Sequence, residues 1–187
     1  MKPIPYGHQS ITWRDTRAVA AGVRSEWMTL GPAVEEFERQ VSQLVGSKFA
    51  VAVSSGSAAL HCAYASIGLG AGDEIITSPL TFASTATTAI NLGAQVVFAD
   101  VQPDTGNIDP LRVEELITPK TKAIVAVDYA GHPADLDELL AITKKHGIAL
   151  IEDAAHSLGS RYRERPVGSV ADITTFSFFP TKNITTG

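Results

Sequence analysis

Residues 134–153 read ADLDELLAITKKHGIALIED, and this stretch decides the fold. From Ala134 to His146 the residues have helical character, with Leu136, Leu139, Leu140 and Ile142 on one side. Gly147 then closes the helix, as glycine commonly does. Ile148 to Ile151 is a short apolar run that reads as a buried strand and ends in two carboxylates, Glu152 and Asp153. A helix feeding such a strand is the repeating half of an α/β unit.

The same alternation extends outward in both directions. Phe49 to Ser54 (FAVAVS), Glu74 to Thr77, Gln95 to Asp100, Ala123 to Val127 and Thr174 to Phe178 read as strands. Gly56 to Ile67 and Thr81 to Asn91 read as helices. Strands joined through helices imply a largely parallel sheet covered on both faces. Ahead of this unit, Asp15 to Arg24 and Pro32 to Val45 read as amphipathic helices. They form either an N-terminal arm over residues 1–46 or a surface for a partner, with the α/β domain over residues 47–187.

Bulk properties exclude several classes. With 187 residues, 44% hydrophobic and 19% charged, the chain fits one globular domain. A net charge of −5 gives no support for a nucleic-acid partner. No run approaches the roughly 20 apolar residues that span a bilayer, and MKPIPYGHQS lacks the apolar core of a secretory signal. A single cysteine, Cys62, cannot form an internal disulfide, so a reducing cytoplasm is the expected home. The last residues, Lys182 to Gly187, follow a strand-like run with no terminal helix or polar tail, the pattern expected of an interrupted chain.

Three places carry candidate chemistry. At Ser54-Ser55-Gly56-Ser57-Ala58 a strand gives way at once to a helix whose free N–H groups and positive dipole end suit a phosphate. Gly56 allows close backbone approach, and Ser55 and Ser57 add hydroxyls. A simple N-capped turn explains these residues equally well. At Glu152-Asp153, strand alternation allows only one carboxylate to face a site at the sheet's C-terminal end. An aspartate there can pair with a protonated pyridine nitrogen, and His156 lies within reach. A capping aspartate with a satisfied histidine, or a metal pair, fits too. After the aromatic run Phe176-Ser177-Phe178-Phe179, Lys182 becomes nucleophilic if partial burial lowers its pKa; otherwise it is a loop lysine. In this order on one α/β unit, the three places supply the minimum that a pyridoxal phosphate (PLP) site needs.

These residues resemble the DegT/DnrJ/EryC1/StrS family of PLP-dependent sugar aminotransferases. The likeness covers essentially the whole chain: WMTLGP with Phe37-Glu38, SSGSAALH, SPLTFASTATTAINLGAQVVFADV, DTGNID, DYAGHPADLDEL, IEDAAHSLGS and FSFFPTKNITTG. It implies the three-layer α/β/α large domain of the aspartate-aminotransferase fold, with a mostly parallel sheet and an N-terminal helical arm. Residues 47–187 would then be an incomplete PLP-binding large domain, without the C-terminal small domain.

By that resemblance Lys182 would carry the cofactor as a Schiff base and shuttle protons, and Asp153 would hold the pyridine nitrogen. His156 would sit beside the ring hydroxyl, where many relatives have glutamine, and Phe82 would stack on the ring. Gly56, Ser57, Ala58 and Ser177 would hold the phosphate. Relatives that remove a hydroxyl lack this lysine and use histidine, so Lys182 argues for transamination. Phe179 departs from the histidine of many relatives, which puts sugar contacts in doubt rather than the lysine's role.

IPYGHQ, SPLTFASTA, DTGNID and KNITTG look most like the pseudaminic-acid branch. That likeness implies glutamate as donor, a UDP-linked 4-keto-6-deoxy-N-acetylhexosamine as acceptor, and a homodimer building each site from two subunits. Another nucleotide keto-sugar (perosamine or bacillosamine type), or an inactive truncated or regulatory member, are the alternatives.

Overall fold

A computed structural model describes residues 9–27 and 29–186. Met1 to His8, Met28 and Gly187 lie outside the described residues, and with them most of IPYGHQ, one residue of WMTLGP and the final glycine of the closing motif.

Helices α1 (Trp13–Val23) and α2 (Pro32–Val45) lead the chain. Thr12 and Asp15 start α1 by reciprocal hydrogen bonds, a capping box that satisfies two orphan backbone donors. Helix α1 buries none of its residues, and Trp13, Val19 and Val23 stay exposed. Helix α3 (Gly56–Ser66) is followed by β1 (Glu74–Thr77), α4 (Ser84–Asn91), β2 (Gln95–Phe98), α5 (Pro110–Glu115) and β3 (Thr121–Val127). Then come a 3-10 turn (Tyr129–Gly131), α6 (Leu136–His146), β4 (Ala149–Asp153), a small hairpin β5 (Arg161–Tyr162) and β6 (Arg165–Pro166), and β7 (Ile173–Thr175).

Five strands form one sheet in the order β2-β1-β3-β4-β7, and every pairing is parallel. The chain moves from β1 outward to β2, then returns to place β3 on the other side of β1. That reversal opens a crevice at the carboxyl ends of the strands, where open α/β sheets bind ligands. Residues alternate between the two faces. Ile75, Ala123, Val125 and Ile151 pack under α3 and α4 with Leu60, Tyr64 and Ala89. Ile76, Ile124, Ala126 and Leu150 pack under α5 and α6 with Val113, Leu136 and Leu139. The three-layer α/β/α architecture is therefore as expected, and Gly147 ends α6 in the left-handed conformation at φ 67°.

Two expected strands differ. Phe49 to Ser54 is extended in sequence character but pairs with no strand among the described residues, and Phe49 and Val51 are 74% and 78% exposed. Apolar β-branched residues make a strand only where a neighbouring ladder accepts their backbone groups. Here Ala52 donates its N–H to the Glu38 carboxylate of α2 instead (2.8 Å). Strand β7 stops at Thr175 rather than Phe178, because the chain leaves the sheet to bring Ser177 against Gly56. Phe178 then meets Phe37 of α2 edge to face, ring centroids 5.1 Å apart.

Candidate functional site

Consecutive strand residues point to opposite faces, so Glu152 and Asp153 part at the end of β4. Glu152 shares the face of Leu150, and Asp153 shares that of Ile151, toward α3 and α4. The Asp153 carboxylate is buried and accepts two hydrogen bonds: from the Thr85 hydroxyl of α4 at 2.7 Å and from the Ala155 N–H at 3.3 Å. The Thr85 hydroxyl is also 2.8 Å from that of Thr81. Since Thr85 donates to Asp153, Thr81 is the donor in that second contact. Burial pushes Asp153 above the usual carboxylate range, while Thr85, Ala155 and the nearby charges of Lys182 and His156 oppose the rise.

Lys182 and His156 meet directly, with Nζ 2.7 Å from Nε2. Lys182 lies in a turn closed by its own N–H to the Phe179 carbonyl (2.8 Å), and the next residue, Asn183, donates its side-chain amide to the Leu158 carbonyl. Partial burial lowers the Lys182 pKa, with the Asp153 charge opposing. Burial, and then the Lys182 charge, lower that of His156. Both shifts favour the neutral forms, in which an amine is a nucleophile and an imidazole a proton acceptor.

The third place is the start of α3. Ser55 caps the helix with its hydroxyl accepting from the Ala58 N–H at 3.1 Å. The capping role therefore holds for Ser55, and the Ala58 N–H is engaged by it. The N–H groups of Gly56 and Ser57 are those a helix leaves without an intrahelical partner. A Cβ on Gly56 would come within 3.1 Å of the Ser177 Cβ, so glycine is what lets this helix start and the segment after β7 close on one spot. Ser57 is exposed and Ser177 half-buried. Phe82 stands one turn ahead of Thr85, whose N–H donates to the Phe82 carbonyl (3.1 Å), and its side chain is 75% exposed.

Thr85, Asp128 and Ser157 were not expected from the sequence. The only signal for Thr85 was its place in the hydroxyl-rich run STATT at a helix start, which capping explains as readily. Among the described residues no group of three or more His, Cys, Asp or Glu could hold a metal ion. A cavity of about 530 Å³ lies beside α5, lined by Asp109, Leu111, Arg112, Glu114 and Glu115. It contains none of the residues above, and its Arg112 is already paired with Glu115 at 3.1 Å.

The family model of the DegT/DnrJ/EryC1/StrS aminotransferase family matches residues 9–187. The chain belongs to this family. The spore coat polysaccharide biosynthesis protein SpsC of Bacillus subtilis is 46% identical over 184 residues, 98% of this chain and 47% of its own. Among solved structures, Spr1654 of Streptococcus pneumoniae has PLP, PMP and apo forms that superpose with a TM-score of 0.94 at 35% identity, covering 97% of this chain and 50% of theirs. Helicobacter pylori PseC, an aminotransferase involved in the biosynthesis of pseudaminic acid, has a TM-score of 0.94 at 35% identity, covering 98% and 50%. The DegT/DnrJ/EryC1/StrS chain described here thus spans about half the length of the curated relatives it matches. None of its described helices is long and apolar enough to cross a membrane.

Proposed function

We propose that the protein is an aminotransferase that uses PLP to move an amino group from glutamate to a nucleotide-linked keto-sugar. The observation that carries this reading is the meeting of Lys182 and His156 beside the buried Asp153 carboxylate, on the sheet edge that also holds the Gly56–Ser177 approach.

The donor set fits the cofactor. Asp153 is a buried anion for the ring nitrogen, Lys182 an amine of lowered pKa for the aldehyde, and the start of α3 a cradle that a Cβ would fill. When bound, PLP supplies an aldehyde that condenses with amines and a cationic ring that accepts the electron pair left by proton removal. Asp153 would keep the ring nitrogen protonated, helped by the Thr85 hydroxyl. Lys182 would hold the aldehyde at rest, then take the α-proton of glutamate and return it at the cofactor's aldehyde carbon. His156 would flank the ring hydroxyl, and Phe82 would cover one ring face. Gly56, Ser57, Ala58 and Ser177 would hold the phosphate, the first two through N–H groups at the positive end of α3. Glutamate leaves as 2-oxoglutarate, and the sugar's ketone becomes an amine.

The finer reading is a UDP-4-keto-6-deoxy-N-acetylhexosamine aminated at C4, supported by the motifs of the pseudaminic-acid branch and by the likeness to PseC. The 46% identity to SpsC supports a second reading, another nucleotide keto-sugar destined for a surface polysaccharide. The exposed Trp13, Val19 and Val23 of α1 support a homodimer, and the lone Cys62 a reducing cytoplasm. Residues 1–46 serve as the arm and 47–187 as the cofactor domain.

Adding PLP should give the absorbance band of a lysine-bound aldehyde, and Lys182→Ala should abolish it. A band that survives Lys182→Ala would sink the lysine assignment. Assays with UDP- and dTDP-linked 4-keto sugars separate the two substrate readings.

A further inference from the structure

Glu152 is fully buried on the face of β4 opposite to Asp153. Its Oε2 accepts from the Thr174 hydroxyl (2.8 Å) and the Gly168 N–H (3.3 Å). Its Oε1 is buried with no hydrogen-bond donor within reach among the described residues. On the adjacent strand Ala126 pairs with Glu152, so Asp128, two residues on, shares that face. Asp128 is 1% exposed and interacts with Glu152 side chain to side chain.

Two carboxylates facing each other out of water cannot both be ionised, and a single proton between them turns repulsion into a hydrogen bond. That proton also explains the orphan Oε1: as a carboxylic acid Glu152 donates, and needs an acceptor rather than a donor. Asp128 is the better anion of the two. It accepts from the Ser157 hydroxyl and from the Ala134 N–H at 3.0 Å. Asp128 also feels the negative charge of Asp153, which disfavours a second buried anion. Burial first, and Asp128 second, push Glu152 well above its ordinary range.

We propose that Glu152 and Asp128 share one buried proton and together act as positioning residues for His156. Ser157, held by Asp128, adjoins His156 and closes its turn through its N–H to the Ala154 carbonyl (3.1 Å). The loop after Asp128 braces the same turn: the Ser160 hydroxyl donates to the Gly131 carbonyl at 3.0 Å, and a Cβ on Gly131 would lie 2.9 Å from the His156 carbonyl oxygen. Through Oε2, Glu152 also anchors β7, which leads to Ser177 and Lys182. The pair therefore ties both partners of the Lys182–His156 contact to the sheet. Its functional consequence rests on the reading of Lys182 and His156 as cofactor residues, while the shared proton does not.

Infrared difference spectra of the PLP-treated protein at neutral pH, wild type minus Glu152→Gln, test the proton directly. We expect the carbonyl band of a protonated carboxyl in the wild type, lost in Glu152→Gln and in Asp128→Asn. Its absence from the wild type would overturn the proposal, whether or not PLP binds. Positioning is read from PLP affinity and from the pH midpoint of the lysine-bound absorbance band. Glu152→Ala removes the proton donated to Asp128, leaving it only Ser157 and Ala134, and should weaken PLP binding by about tenfold and move the midpoint. Glu152→Gln, which keeps a donor toward Asp128, should restore both. Equal damage from Gln and Ala in correctly folded proteins would refute the positioning role. No band from lysine-bound PLP in the wild type, with the infrared result intact, would instead count against the proposed function.

Discussion

Replacing Thr85 by valine removes one hydroxyl and almost nothing else. The side chain is buried, valine has nearly the same shape, and the Tyr64 hydroxyl bonds to the Thr85 main-chain carbonyl (2.8 Å), which the change leaves in place. What disappears is the 2.7 Å donation to Asp153 and, with it, the acceptor of the Thr81 hydroxyl at 2.8 Å. A hydrogen bond to a charged group contributes about 1.5–3 kcal/mol, and 1.4 kcal/mol is a factor of about ten in affinity. Burial already pushes the Asp153 pKa upward and Thr85 is the largest influence opposing it, so its loss moves the carboxyl further toward the neutral acid. A neutral acid cannot hold a protonated ring nitrogen. PLP should therefore bind Thr85→Val about 10- to 100-fold more weakly at neutral pH, the upper end requiring that the whole bond be expressed in the bound state. Part of the loss should be recovered as pH rises and Asp153 ionises. Thr85→Ser, which keeps the donor, should bind nearly as the wild type does. The assay is titration of the apoprotein with PLP followed by absorbance, at several pH values, with circular dichroism to verify folding. Binding of PLP to Thr85→Val within twofold of wild type, with no change in pH dependence, would refute the assignment of Asp153 as the ring-nitrogen anion supported by Thr85.

Gly56→Ala adds a Cβ at the first residue of α3, where a helix-propensity gain of at most about 1 kcal/mol is opposed by the close contact with Ser177. It should weaken PLP binding by about tenfold, because the new Cβ presses on Ser177 at 3.1 Å; unchanged affinity would separate Ser177 from the phosphate seat. Glu152 has a folded-state pKa raised above its ordinary 4.5, so its contribution to stability is fully present below that value and is lost as pH rises through the folded one. Thermal melts of the apoprotein from acid to mildly alkaline pH should fall more steeply for wild type than for Glu152→Gln, and parallel curves would contradict the raised pKa. Phe37→Ala removes the edge contact to Phe178, worth about 0.5–1.5 kcal/mol beyond area, and should lower denaturant resistance, measured by urea melts.

The two carboxylates at the end of β4 illustrate how far the residues alone lead. Strand alternation required one of them to face the site, and the choice of Asp153 came from a family likeness rather than from geometry. Which face meets α3 and α4 depends on the register of β4 against β3, a long-range pairing with no local signature. The extended character of Phe49 to Ser54 was legible, but strand formation needs a partner, and none of the described residues provides one. Lys182 read in isolation was a loop lysine. Partial burial lowers its pKa, and its contact with His156, 26 residues earlier, is a tertiary one. Thr85 and Asp128 carried no usable signal, because a buried hydroxyl or carboxylate is distinguished from a capping one only by what surrounds it.

By itself, then, the sequence determined the helix–strand alternation, the α6 stop at Gly147, the parallel class of the sheet and the family. Periodicity and glycine conformation act over a few neighbouring residues, and the order of motifs is read along the chain without any tertiary contact. Only the tertiary structure decided that Asp153 rests on Thr85, that Gly56 meets Ser177, and that Glu152 faces Asp128. Each of those contacts joins residues separated by 24 to 121 positions, and burial there changes pKa values and donor roles in ways no local pattern encodes.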